Sequence, residues 1–158
     1  MRRLLVIFGV LALVVPATSV ASKRDPSDGT LSLRGGHGTF TVNARGGVIG
    51  SFLHGKVIIT DPIDGDGTGP IVSGDDWQKD RGDGKTTVYG GTKVRFRMIG
   101  GTFKIRVIGS GVNLSVVGRG QVTLNGAGSG DDGSYSVNGS SYADVPDLSQ
   151  FTLSAASP

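Results

Sequence analysis

The chain contains no cysteine and no glutamate, and only one tryptophan, two histidines and two methionines among 158 residues. Without cysteine there is no disulfide framework, no thiol nucleophile and no cysteine available for a lipid anchor. His37 and His54 are the only histidines. No zinc-ligand spacing, nucleophile elbow or phosphate loop accompanies them. Every acid is Asp, and the 13 Asp residues gather in turn-like stretches, where a short carboxylate bonds nearby backbone amides. No window of helical length carries apolar residues at i, i+3, i+4 and i+7, which removes amphipathic helices from consideration.

What is present begins with a leader. Arg2 and Arg3 precede an apolar run over residues 4–15, Pro16 ends it, and Ser19-Val20-Ala21 follows. A basic start, a short apolar run and small residues at the cleavage positions predict a secretory signal peptide over residues 1–21, cut after Ala21. The run is too short for a comfortable membrane span, so the mature chain is expected to have no transmembrane segment. Of the 16 Lys and Arg, two lie in the leader, which leaves 14 against 13 acids. Near-neutral balance gives no reason to expect a nucleic-acid partner. An exported protein without disulfides is expected to be bacterial, and secreted or held at the cell surface. Residues 22–158 are enough for one domain and too few for two ordinary ones.

The body of the chain is a series of short alternating runs: 31–33, 39–42, 48–53 and 56–60, then 93–98, 102–108 and beyond. β-Branched residues with glycine punctuation predict strands throughout, so the fold class is all-β. The series repeats. Gly38-Thr39-Phe40 recurs as Gly101-Thr102-Phe103, and the same offset carries Leu33 to Phe96, Arg34 to Arg97 and Val42 to Ile105. With one inserted residue Val48 meets Val112 and Ser51 meets Ser115; with a second, Gly55 meets Gly120 and Val57 meets Val122. Two duplicated four-stranded units are expected, at about residues 30–60 and 93–125. They would form a sandwich or a closed barrel of short antiparallel strands, with a β-solenoid as the alternative.

One stretch suggests a site. Residues 93–98 and 102–108 flank Gly100-Gly101, a pattern that predicts a β-hairpin with a primed turn. In that register Met98 faces Phe103, Phe96 faces Ile105 and Val94 faces Val107, an apolar face. The other face carries Lys93, Arg95, Arg97, Lys104 and Arg106. Like charges opposite one another destabilise a sheet. They therefore need either the chain's own Asp residues or an anionic partner. The matching positions of the first unit are Thr30, Ser32, Arg34, Thr41 and Asn43, so folding does not require cations there.

A second candidate is the Asp loop. Asp64, Asp66 and Thr68 take positions one, three and five of an EF-hand calcium loop, and Asp75 takes position twelve. Position twelve lacks the longer Glu, and no helix flanks the loop. Trp77 in the same connection is expected to plug an open end of the fold.

The leader, the paired Gly-Thr-Phe strands and Gly133-Ser134-Tyr135-Ser136-Val137-Asn138-Gly139 are similar to features of a known group. The chain resembles the small, Gly-rich, cysteine-free secreted β proteins of high-GC Gram-positive bacteria. That resemblance implies location and fold class and carries over no functional residue. The expectation is an exported, non-enzymatic β domain that associates with the cell envelope. Its basic hairpin face would bind an anionic polymer such as a wall polysaccharide or teichoic acid. The alternatives are a structural module stabilised by calcium and a carbohydrate-active enzyme.

Overall fold

The structure, a computed structural model, describes residue 25 and residues 27–155; the expected signal peptide lies outside them. It is all-β, with eight strands and no helix among the described residues. They are β1 (Gly29–Thr60), β2 (Gly67–Ser73), β3 (Trp77–Asp80), β4 (Thr86–Gly100), β5 (Thr102–Gly126), β6 (Ser134–Val137), β7 (Ala143–Asp144) and β8 (Ser149–Leu153). All pairings are antiparallel. The main path runs β2-β4-β1-β5-β8 and ends at β2 and β8 without closing. The closed-barrel expectation therefore fails. The solenoid fails too, because residues 38–45 pair with 102–109 and 119–126, far along the chain, whereas solenoid repeats touch their neighbours.

The four short strands expected over residues 31–60 are one strand, β1, of 32 residues. Its partners change along its length, and the register resolves the sheet into two rows. In the first, β7 pairs β6, which pairs residues 31–34; then come 112–118, 46–51, 94–98 and β2. In the second, β8 pairs residues 120–124, followed by 38–45, 102–109, 54–60, 86–92 and β3. β1 and β5 pass from row to row where glycines meet. Gly46 pairs with Gly118, and Gly55 with Gly109. A Cβ on Gly118 would strike the Arg45 carbonyl, and one on Gly55 the Ile108 carbonyl. Only glycine lets the two backbones approach this closely.

The register maps onto itself when the halves are exchanged. Val42 pairs with Ile105 and Gly50 with Leu114, the central pairs of the two rows. On either side, Leu33–Leu114 is matched by Phe96–Gly50, and Leu31–Val116 by Val94–Phe52. In the second row Val42–Val122 is matched by Ile105–Ile59, and Phe40–Val107 by Phe103–Ala44. This equates Ile59 with Val122 and Gly55 with Gly118, two residues away from the alignment read from sequence, which followed the Gly-x-Val spacing.

Alternation decides what is buried. Leu31, Phe40, Val42, Val57, Phe96, Phe103, Ile105, Leu114 and Val122, drawn from both rows, belong to one buried cluster. Phe40 and Phe103 are fully enclosed, and each such side chain contributes about 1.5–3 kcal/mol through burial. The apolar face expected for residues 94–107 is correct: Val94, Phe96, Met98, Phe103, Ile105 and Val107 are all buried.

Candidate functional site

β4 and β5 do not pair with each other. β1 lies between them, pairing with β4 on one side and β5 on the other. Gly100 and Gly101 do turn, with φ of 74° and 77°, but they carry the chain from the first row to the second. Asp66 caps that passage by accepting from the Thr102 amide at 2.9 Å, and Gly101 accepts from the Gly46 amide at 2.9 Å.

The five expected cations are consequently divided. Arg95 and Arg97 lie on the outer face of the first row. Lys104 and Arg106 belong to the second row and line a recess of about 240 Å³ with Ile58, Thr60, Arg81, Asp83 and Thr86. Lys93 stands at the corner of β4 with φ of 60°. No single basic hairpin face exists.

Across the first row the register aligns two rungs. One runs Ser136, Ser32, Ser115, Ile49, Arg97, Ile71. In the other, Ser51 pairs with both Asn113 and Arg95, Arg95 with Ser73, and Arg34 with Ser134. Outward-facing members of these rungs line an open groove of about 670 Å³, with Arg34 on one side and Arg95 and Arg97 on the other. Ile49 is 64% exposed on its floor.

The Arg34 side of the groove is braced. Its guanidinium carbon lies 4.2 Å from the Tyr142 ring centre, a cation–π geometry, and the Tyr142 hydroxyl is 2.7 Å from Ser32 Oγ. Asn113 accepts from the Gly35 amide and donates to the Gly111 carbonyl, which fixes the strand beside Arg34. Among the described residues the ion pairs join Arg119 to Asp25 and Asp28, and His37 to Asp132. None involves a groove arginine.

The Asp residues of the long connection serve backbone amides instead. Asp76 accepts from the Thr92 amide, Asp80 from Gly82, and Asp83 from Lys85 and Thr86. The Thr86 and Lys85 hydrogen bonds hold the Asp83 carboxyl below the usual range.

The structure does not gather Asp64, Asp66, Thr68 and Asp75. Residues 67–73 are strand β2, with Thr68 opposite Ile99, so Asp66 and Asp75 stand at opposite ends of an extended segment. Among the described residues no three His, Cys, Asp or Glu side chains converge as a metal site. Trp77 is 48% exposed and lies over Gly90, where a Cβ would meet its ring; it plugs no end.

His37, Ser129 and Asp132 do come together, but not as a relay. Ser129 Oγ donates to Asp132, and both oxygens approach the same ring nitrogen, His37 Nδ1, at 3.3 and 3.8 Å. A nucleophile and an orienting acid need opposite nitrogens of the ring. The cluster ties the loop over residues 128–132 to β1.

Sequence reasoning had not assigned Arg34, Ser32, Ser51, Ser73, Ser115, Ile49 or Ile71 to a site. The one signal for Arg34 was its match to Arg97. No protein-family model, curated protein or solved structure matches the chain. Among the described residues no helix is long and apolar enough to cross a membrane.

Proposed function

We propose that the two rows are the layers of a sandwich built from two duplicated units, and that the outer face of the first layer binds an anionic polymer of the bacterial envelope. The protein would be exported and would act by binding, without catalysis. The duplication is supported by the register's exchange symmetry, and the sandwich by the single buried cluster that both rows share. The observation that carries the binding reading is the set of three arginines, Arg34, Arg95 and Arg97, around one open groove, with no acid in its lining and no ion pair to any of the three among the described residues. A guanidinium presents a planar fork that matches phosphate or carboxylate. Because the groove is open, salt should weaken the attraction.

The test is co-sedimentation of the protein with purified Gram-positive cell walls. Changing Arg34, Arg95 and Arg97 together to Ser should release the protein into the supernatant and leave it folded, with stability lowered by no more than the Arg34–Tyr142 contact contributes, about 0.5–1 kcal/mol. The double variant Lys104→Thr/Arg106→Asn gives the second half the first half's residues on the opposite layer, and should sediment like the parent. Equal retention of the triple variant, independent of salt, would overturn the reading.

A further inference from the structure

The groove has charged ends and a neutral middle, and this spacing limits what fits it. Arg34 projects from the strand at residues 31–34, and Arg95 and Arg97 from residues 94–98, with residues 112–118 and 46–51 between them. Three inter-strand steps separate the two ends, about 14 Å. The intervening floor is Ser51, Ser115, Asn113 and Ile49, which offers hydroxyls and one exposed apolar side chain but no charge. Resting on the anionic-polymer reading above, we propose that the occupant lies across the strands. It would place two anionic groups about 14 Å apart, joined by an uncharged, hydroxyl-bearing segment.

The chemistry excludes two other kinds of anion. A single phosphate reaches one end only and forgoes the second set of arginines. A densely charged chain sets anions over Ser115, whose rung neighbours Ser32 and Ile49 are uncharged, so that they lose water there without a cation in return. A chain whose anions are separated by long polyols or by neutral sugars meets both requirements, since its spacers are hydroxylated and reach from one end to the other. The ends are also unequal. The register exchange equates Arg34 with Arg97 and Ser32 with Arg95, so one end holds one arginine and the other holds two. An occupant with unlike ends would therefore bind in one direction.

Calorimetric titration with inorganic phosphate and with bisphosphates, two phosphates joined by neutral hydroxylated spacers of graded length, tests this. Inorganic phosphate and the shortest bisphosphate should bind weakly and alike. Affinity should then step up roughly 10²-fold once the chain spans both ends, because the second contact becomes intramolecular, and it should level off beyond that length. Arg34→Ser should remove the step and keep the weak single-phosphate binding; Arg34→Lys should keep part of it. An affinity indifferent to spacer length, or a step that survives Arg34→Ser, would overturn the spanning occupant and leave anion binding standing. No binding at any length would overturn both.

Discussion

The two halves of the molecule, residues 30–60 and 93–125, share a pairing register and differ in what they set on its outer surface. Inside, equivalent positions are alike: Phe40 with Phe103, Val42 with Ile105, Ile59 with Val122, all buried. Outside, Arg34 and Arg97 agree, while Ser32, Thr41 and Asn43 stand where the second half has Arg95, Lys104 and Arg106. The same register forms with and without those cations. Their cost is therefore not repaid by the fold, and exposed substitutions away from caps and cores ordinarily change stability by less than about 0.5 kcal/mol. What distinguishes the halves is surface chemistry laid on a common frame.

The comparison is broken most forcefully at the corners. Gly118 and Gly55 are exchange partners, with φ of 156° and 144°, and each faces a carbonyl that a Cβ would strike. Gly118→Ala and Gly55→Ala should each cost about 3–5 kcal/mol, the range of backbone clash and strain. The two losses should agree within about 1 kcal/mol, a margin wider than the scatter between independent sites. Urea denaturation of both variants measures this. Tolerance of one and collapse of the other would mean that the corners are not equivalent, despite the shared register.

These corners also explain how much the sequence disclosed. Alternation is a local property, so the all-β class and the inward faces of residues 94–98 and 103–107 could be read directly. The neighbour of a strand is not local. Gly100-Gly101 marks a reversal whether the chain folds back on its own strand or crosses to the other row, and the turn pattern alone favours the first. The insertion of β1 between β4 and β5 therefore separated Arg95 and Arg97 from Lys104 and Arg106. It also brought Arg34, from the other half, into the groove. The repeat offset contained that information: if Arg34 matches Arg97, an interleaved pair of units sets them at opposite ends of one surface. The EF-hand spacing likewise presupposes a loop, whereas residues 67–73 are extended.

A smaller effect separates the Asp-rich exits of the two halves. After the first, Asp66 caps the other half's Thr102 amide. After the second, Asp132 caps its own loop, accepting from Ser129 Oγ and from the Gly128 amide at 2.7 Å. The Ser129 hydroxyl chiefly holds the Asp132 carboxyl below its usual range; burial opposes this, while the Gly128 and Ser129 amides and His37 add to it. A carboxyl whose folded value lies below the unfolded value of about 3.9 contributes its full stability above that value. The contribution is lost as pH falls through the lower, folded value. Melting temperature should therefore drop more steeply below about pH 4 in the parent than in Asp132→Asn. Parallel curves would mean that this loop carries no acid sensitivity.

The smallest effect lies at the third kind of corner. Gly35, Gly111 and Lys93 each stand where a strand changes rows, with φ of 61°, 63° and 60°. Two of the three are glycine, which occupies this left-handed region freely. Lys93 pays for it, by about 1–2 kcal/mol for an L-residue. Replacement by glycine removes that strain but loosens the unfolded chain, which returns roughly 0.4–1 kcal/mol. Lys93→Gly should accordingly be neutral or stabilising by up to about 1.6 kcal/mol, whereas a β-branched residue there should destabilise. Wall binding should be unchanged, because Lys93 lies outside the residues that line the groove. Weaker binding in a Lys93→Gly protein of undiminished stability would bring this residue back into the site and shift the groove's charged end toward the corner of β4.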